Sequence, residues 1–196
     1  MATSLLLGLI GAGIQASRAP ALHEGEAAEH GLRCIYKLID LEQLKLGTEA
    51  LPELLAAAER MGFAGVNITH PCKQAVIPLL TGLSPDARAI GAVNTVLLRD
   101  GKRIGNNTDW YGFAESFRQG LPDVSMSRVV QLGAGGAGSA VAYAAAKLGV
   151  RRLTIFDIDA ARAGALAGQI CAQFGAERAV AGTDIEAAVA AADGLI

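Results

Sequence analysis

Three short polar segments of the sequence carry side chains that could do acid–base chemistry on a small ligand. Residues 67–73 (Asn-Ile-Thr-His-Pro-Cys-Lys) follow an apolar run, residues 91–95 (Gly-Ala-Val-Asn-Thr) open another, and residues 106–109 (Asn-Asn-Thr-Asp) lie between the two halves of the chain. Each segment alone could equally cap a helix or build a turn. Together they place one amine, one carboxylate and several amides and hydroxyls at predicted strand ends, where open α/β sheets bind ligands.

A glycine-rich segment in the second half could bind a dinucleotide. The apolar run Arg128–Leu132 leads into Gly133-Ala134-Gly135-Gly136-Ala137-Gly138, and a helical pattern follows. In this motif Gly133 permits a tight turn, Gly135 lets the backbone approach a pyrophosphate, and Gly138 lets helix and strand pack closely. The helix N-terminus would face the phosphates with free N–H groups and its positive dipole end. The strand before the motif and the helix after it favour nucleotide binding over a purely structural glycine turn.

An acidic residue follows the glycines by roughly 20 residues, as in dinucleotide-binding folds. Asp157 ends the next predicted strand, where a carboxylate accepts hydrogen bonds from ribose hydroxyls and repels a 2′-phosphate. Ile158 follows, so no arginine is adjacent, and we expect NAD rather than NADP as cofactor. Arg162 opposes this in part, because it could lean over the adenine or reach a phosphate. The alternative role for Asp157 is a helix N-cap, which Asp159 fills better.

Strand and helix patterns alternate along the chain, which is typical of an α/β fold. In the first half we predict strands at Leu5–Ile10, Leu32–Ile39, Gly65–Ile68 and Ala92–Leu98, and helices at Pro20–His30, Leu51–Met61, Lys73–Leu80 and Pro85–Ala89. In the second half we predict helices at Trp110–Gln119, Ser139–Leu148, Ala160–Phe174 and Ile185–Ala191, and strands at Arg128–Leu132, Leu153–Phe156, Arg178–Ala181 and Gly194–Ile196.

These elements predict two domains joined by a helix and a loop. Residues 1–108 would form an α/β domain that binds and converts a substrate. Residues 109–127 would form the linker, since its last part is polar and contains a proline. Residues 128–196 would form a Rossmann-type doubly wound parallel sheet that binds NAD. The chain stops inside a predicted element, so we expect this second domain to be incomplete.

The composition favours a globular protein with a small-molecule ligand. The net charge of −2 gives no basic surface for nucleic acid, and no apolar stretch has the length and purity of a membrane span. Cys34, Cys72 and Cys171 are too scattered for a disulfide framework or a zinc site, so we expect free thiols and no metal. No Lys or Arg precedes the apolar run Leu5–Ile14, which predicts a buried strand and a cytoplasmic protein rather than a secretory signal. We expect a monomer or a homodimer.

Several strings of this sequence, in the same order, resemble those of the shikimate dehydrogenase family. They are Gly8-Leu9-Ile10-Gly11, Ser17-x-x-Pro20-x-x-His23, Asn67-Ile68-Thr69-x-Pro71-x-Lys73, Gly91-Ala92-Val93-Asn94-Thr95, Gly105-x-Asn107-Thr108-Asp109 and Gly133-Ala134-Gly135-Gly136-Ala137. The stretches Gln15–Arg18 and Asp157–Asp159 are most similar to the NAD-dependent quinate/shikimate dehydrogenases of actinobacterial type. The resemblance implies an oxidoreductase that moves hydride between a nicotinamide cofactor and a ring hydroxyl of a cyclic polyhydroxy acid.

The resemblance also implies roles for individual residues. Lys73 and Asp109 correspond to the catalytic pair, and which of the two carries the proton stays open. Ser17, Asn67, Thr69 and Asn94 correspond to the substrate site, with Ser17 near the substrate carboxylate and Asn67 supporting the loop that carries Thr69. The loop Gly133–Gly138, Asp157 and Arg162 correspond to the cofactor site.

The sequence departs from the family at Ala19, where a second hydroxyl residue usually meets the substrate carboxylate. The alanine side chain cannot donate a hydrogen bond, so shikimate, quinate and related acids all remain possible substrates. Cys72 adjoins Lys73, and we expect a packed rather than a reactive thiol. Family members continue past Ile196. Two alternatives therefore stay open: an inactive nucleotide-binding fragment or regulator of the same fold, and a different two-domain dehydrogenase such as the folate-linked kind.

Overall fold

The computed structural model describes residues 4–196, which form two compact α/β units divided between Asn107 and Thr108. Residues 1–3, which precede the apolar run Leu5–Ile14 considered above as a secretory signal, lie outside this range. The second unit includes the segment 109–127 that the sequence suggested as a linker. Among the described residues, no helix is long and apolar enough to cross a membrane.

Unit 1 is built on a six-stranded mixed sheet. Its strands are β1 (Ser4–Gly11), β2 (Arg33–Asp40), β3 (Gly65–Ile68), β4 (Gly82–Leu83), β5 (Thr95–Arg99) and β6 (Lys102–Asn106). Its helices are α1 (Ala19–Glu29), α2 (Leu41–Leu44), α3 (Leu51–Arg60), α4 (Cys72–Ala75) and α5 (Pro85–Ile90), with 3-10 turns at Thr48–Ala50 and Ile77–Leu79. The strand order is β2-β1-β3-β5-β6-β4.

The strand directions gather one set of strand ends at a single edge of this sheet. β1 runs parallel to β2 and β3, whereas β5 runs antiparallel to both β3 and β6. The carboxyl ends of β1, β3 and β6 therefore share an edge with the amino end of β5. We call this edge, marked by Gly11, Ile68, Thr95 and Asn106, the polar edge. All three polar segments singled out in the sequence begin or end there.

The core of unit 1 lies under helix α3. Leu51, Leu55 and Ala58 repeat at helical spacing and are fully buried against Ile10 and Ile68 of the sheet. The helix predicted over 73–80 is split into α4 and the 3-10 turn at Ile77–Leu79. The cause is Pro78, which has no N–H to donate and whose ring clashes with the preceding turn of an α-helix.

Unit 2 contains a parallel sheet in the order β10-β7-β8-β9. Its strands are β7 (Arg128–Leu132), β8 (Arg152–Phe156), β9 (Ala179–Ala181) and β10 (Gly194–Leu195), and its helices are α6 (Asp109–Gly120), α7 (Gly136–Leu148), α8 (Ala160–Phe174) and α9 (Ile185–Ala190). With β7 as the first strand, this is the 3-2-1-4 order of a dinucleotide-binding Rossmann sheet. The predicted fold class, a Rossmann-type parallel sheet after an α/β unit, is confirmed.

Helix α6 is held to unit 2 by aromatic packing. The ring of Trp110 lies edge-on to that of Tyr143 on α7 at 5.5 Å between centroids. The Lys147 ammonium lies 5.5 Å from the Trp110 ring centroid, within cation–π range. Trp110 therefore anchors this helix to α7.

Candidate active site and dinucleotide-binding loop

Backbone hydrogen bonds tie the loops at the polar edge to one another. Thr69 donates its N–H to Ile10 at 2.9 Å, and Ala12 donates to His70 at 2.9 Å, so the loops after β1 and β3 are joined. Val93 donates to the carbonyl of Lys73 at 2.8 Å, which joins α4 to the segment that carries Asn94. The predicted residues Thr69, Lys73 and Asn94 therefore lie on loops that hold one another.

The loop that carries Ser17 is fixed by a carboxylate that the sequence did not single out. Asp40, at the end of β2 and 3% exposed, accepts hydrogen bonds from the N–H groups of Gly13 and Ile14 at 3.0 Å each. It also accepts from the Gln15 side chain at 2.9 Å and from the N–H of Glu42 at 3.1 Å. The Gln15 bond, reinforced by the backbone bonds, holds the pKa of Asp40 below its usual value despite burial.

Ser17 itself lies at the end of this loop, two residues before the start of helix α1. Its hydroxyl accepts the N–H of Ala19 at 3.2 Å, and its side chain is half-buried. Ala19 is the position at which the family usually carries a second hydroxyl. Its backbone N–H is thus engaged with the one hydroxyl that remains.

Asn67 takes part in a chain of side-chain hydrogen bonds under the polar edge. Tyr36 donates its hydroxyl to Asn67 Oδ1 at 2.7 Å, Asn67 Nδ2 donates to Thr95 Oγ1 at 3.0 Å, and Thr95 donates to Asn94 Oδ1 at 3.0 Å. Burial raises the pKa of Tyr36 to about 12, which keeps its hydroxyl a donor. Asn67 is thereby engaged at both ends of its amide, and the chain orients the Asn94 side chain. Tyr36 was not singled out in the sequence, and Thr95 was named there only as part of the segment 91–95, without a role of its own.

The residues proposed as the catalytic pair belong to different units. Lys73 is half-buried in the first turn of α4 of unit 1, and Asp109 is the half-buried first residue of α6 of unit 2. The neighbouring Cys72 is fully buried, and burial raises the pKa of its thiol to about 11. A thiol in this setting is protonated and unreactive at neutral pH, as the sequence interpretation held.

The glycine-rich loop of unit 2 is fixed at both ends. Gly133 has a φ of +106°, which a residue with a side chain rarely adopts, and its N–H donates to the Phe156 carbonyl at 2.7 Å. A Cβ on Gly138 would overlap the Gly133 carbonyl oxygen, so the close approach here is between the two ends of the loop. Ser139 donates its hydroxyl to the Gly135 carbonyl at 3.1 Å. The backbone N–H of Ser139 donates to the same carbonyl at 2.8 Å, so helix α7 starts at Gly136, three residues before the predicted start at Ser139.

Asp157 joins this loop to the end of β8. Its Oδ2 accepts the N–H of Ala134 at 2.7 Å, and its Oδ1 accepts the N–H of Asp159 at 2.9 Å. The bond from Asp159, followed by that from Ala134, holds the pKa of Asp157 below its usual value, so the side chain is an anion at neutral pH. Asp159 accepts from Ala161 and is the N-cap of α8, as predicted. Arg162 is exposed, with its Nε 3.7 Å from Asp159 Oδ2.

A cavity of about 440 Å³ opens beside Asp157, a size common for small-ligand sites. It lies between the ends of β7 and β8 and the segment after β9, and it is lined by Leu132, Gly133, Phe156, Asp157, Ile158, Thr183 and Ile185. The Ile158 side chain is fully exposed on its rim. Open space at Gly135, an anchored carboxylate and a largely apolar cavity fit the pyrophosphate, ribose and adenine of a dinucleotide.

Comparison with known proteins identifies the family. The family profile described as the shikimate dehydrogenase substrate binding domain matches residues 9–96. A quinate/shikimate dehydrogenase (NAD(+)) of Corynebacterium efficiens is 50% identical over 98% of this chain and 69% of its own length. The chain belongs to the shikimate dehydrogenase family. The solved quinate dehydrogenase of Corynebacterium glutamicum in complex with NAD agrees in fold with a TM-score of 0.88 at 47% identity, covering 98% of this chain and 70% of that one.

Other members of the family carry a different cofactor in their names. A shikimate dehydrogenase (NADP(+)) of Streptomyces avermitilis is 55% identical over 91% of this chain. The chain spans 61% of the length of that relative. Family membership therefore supports a nicotinamide dinucleotide as cofactor without choosing between its two forms.

Proposed function

We propose that this chain is the substrate-binding and much of the dinucleotide-binding part of an oxidoreductase. It would transfer hydride between a nicotinamide dinucleotide and a ring hydroxyl of shikimate, quinate or a related cyclic polyhydroxy acid. The observation that carries the proposal is the set of interlocked loops at the polar edge. They bring Thr69, Lys73 and Asn94 onto mutually bonded segments in a chain that continues into a Rossmann unit.

The substrate would be held by hydroxyl and amide side chains at the polar edge. Ser17 would donate to the substrate carboxylate, and Thr69 and Asn94 would bind ring hydroxyls. Asp40 and the chain from Tyr36 to Asn94 would keep these side chains in place, because a side chain with fixed partners loses little further entropy on binding. With alanine at position 19, contact to the carboxylate would depend more strongly on Ser17.

The reaction requires hydride to leave carbon and a proton to leave oxygen. When bound, the nicotinamide accepts the hydride. Lys73 and Asp109 are the two candidates to take up the proton of the reacting hydroxyl, a role that typically contributes ~10²–10⁴-fold to the rate.

We propose NAD as the cofactor because Asp157 is negatively charged. Its carboxylate is anionic at neutral pH and lines the cavity in which the adenosine would bind. A 2′-phosphate there would meet a like charge, which is unfavourable in a partly desolvated site. Arg162 offsets this charge only in part: it is exposed, its Nε lies 3.7 Å from Asp159 Oδ2, and its positive charge is the weakest of the influences that lower the pKa of Asp157.

The proposal is tested by following reduced dinucleotide formation by absorbance, with shikimate and with quinate, each with NAD and with NADP. This chain and a version extended to the length of its relatives would be measured side by side. Turnover with NAD is expected, and Lys73→Ala should lower it by about 10²-fold or more. The exposed Lys102 on β6 provides the control, since Lys102→Ala should leave turnover unchanged. Binding of dinucleotide without turnover in either chain would favour an inactive binding protein.

A further inference from the structure

Gln131 is a polar side chain in a place where a strand usually carries an apolar one. It lies in the buried part of β7, between Val130 and the glycine-rich loop, and is 1% exposed. Burying an amide is unfavourable unless its polar atoms are hydrogen-bonded. A glutamine here therefore needs a reason beyond packing.

The amide nitrogen of Gln131 lies between the two ends of the loop. Its Nε2 donates to the Gly133 carbonyl at 2.8 Å and to the Gly138 carbonyl at 2.9 Å. The opposite placement of the amide would set its oxygen against two carbonyl oxygens, so the partners fix its orientation. One side chain thus holds the first and the last glycine of the dinucleotide motif together.

The oxygen atom of the same amide forms no hydrogen bond within the described part of the chain. Oε1 of Gln131 is buried and has no hydrogen-bond partner among residues 4–196. An unsatisfied buried acceptor lowers the stability of the folded state. The residue is thus unfavourable for folding at one atom and holds the loop with the other, a combination expected of a residue kept for function.

We propose that Gln131 is a positioning residue for the dinucleotide, an inference that rests on the proposed function. By fixing the carbonyls of Gly133 and Gly138, it sets the separation of the loop ends. The peptide groups between them are those that would approach the pyrophosphate. Asp157 fixes the same loop from outside through Ala134, whereas Gln131 fixes it from the core.

The test replaces Gln131 with leucine and, as a second variant, with methionine. Both keep the approximate volume, remove the donor and remove the unsatisfied oxygen. Cofactor affinity would be measured by titration with NAD and NADH, and unfolding by heat without cofactor. We expect both variants to bind the dinucleotide on the order of tenfold more weakly, because two hydrogen bonds to the loop are lost. Their unfolding temperature should change little, because removal of the unsatisfied oxygen offsets part of the loss of these two bonds. In steady state, the KM for the dinucleotide should rise and the KM for the acid should not.

Val129→Ala is the matched control, because Val129 lies two residues away on the same face of β7 and packs in the core. It should lower the unfolding temperature and leave affinity unchanged. Unchanged affinity in both Gln131 variants, or an equal rise in the KM for the acid, would overturn the proposal and leave a structural residue. If the wild-type chain binds neither NAD nor NADP, the proposed function itself fails, and this inference fails with it.

Discussion

A methyl group added at Gly135 meets different surroundings from one added at Gly138, so the two alanine variants should separate cofactor binding from folding. No heavy atom lies within 4 Å of a Cβ built on Gly135, whose backbone is extended and suits alanine. A Cβ on Gly138 would overlap the Gly133 carbonyl oxygen and lie 2.9 Å from its carbon and 3.2 Å from Gln131 Nε2. The methyl group of Gly135→Ala can therefore be accommodated in the cofactor-free protein, whereas that of Gly138→Ala cannot.

The expected magnitudes follow from these contacts. Overpacking of this kind typically costs about 1–3 kcal/mol, and the preference of helix α7 for alanine over glycine returns about 0.5–1 kcal/mol. Gly138→Ala should therefore lower the free energy of unfolding by about 1–2 kcal/mol. For a chain of this size that corresponds to a fall of roughly 2–8 °C in unfolding temperature. Gly135→Ala should change stability by less than about 0.5 kcal/mol, as for an unstrained surface substitution.

The assay combines thermal unfolding without ligand and titration with NAD. Gly135→Ala should keep the wild-type unfolding temperature and weaken NAD binding by at least about tenfold, equivalent to ~1.4 kcal/mol, because its methyl group occupies the approach of the pyrophosphate. Gly138→Ala should lose both stability and affinity. Wild-type affinity in Gly135→Ala would refute the placement of the pyrophosphate at this loop. Wild-type stability in Gly138→Ala would refute the tight approach of the loop ends.

Three further outcomes are expected. Asp40→Asn replaces an oxygen that accepts two donors with an NH₂ group, so in steady-state kinetics the KM for the acid substrate should rise while that for NAD is unchanged. The lowered pKa of Asp157 gives stability that is complete above its usual value of about 4 and is lost as the pH falls through the lowered value; urea unfolding of Asp157→Ala should lose this acid dependence. Arg103→Lys should destabilise unit 1 by about 1 kcal/mol in the same assay, since Arg103 donates twice to Glu59, at 2.8 and 2.7 Å. Arg99→Lys is the control for Arg103→Lys, because Arg99 pairs with Asp100 on the exposed surface and its replacement should not change stability.

The elements that the sequence predicted well are those whose start and end are marked by residues next to them in the sequence. Helix α8 runs over Ala160–Phe174 as predicted, because Asp159 caps its start and Gly175, with a φ of +108°, follows its end. The glycine-rich loop was recognised because strand, motif and helix occur in one short segment. Such local patterns can be recognised within a short stretch of the sequence.

The features that were missed depend on residues far apart in the sequence. Asp40 acts on Gly13–Gln15 across 25 or more positions, and Tyr36 meets Asn67 across 31. The two-residue strand β4 exists only through its pairing with β6. No periodicity announces such contacts. Gln131 is different, because it is a polar residue between the apolar residues of β7, and this is visible in the sequence.

Cofactor preference and loop geometry are coupled through Asp157. The carboxylate that would repel a 2′-phosphate is also the group that accepts the N–H of Ala134, and this bond helps to keep it ionised. An alanine at position 157 would remove the repulsion, yet it would also leave the Ala134 N–H without its acceptor. A change of preference toward NADP therefore requires two adjustments: a new acceptor for the loop and a cation for the phosphate. Arg162, exposed and close to Asp159, is the candidate for the second.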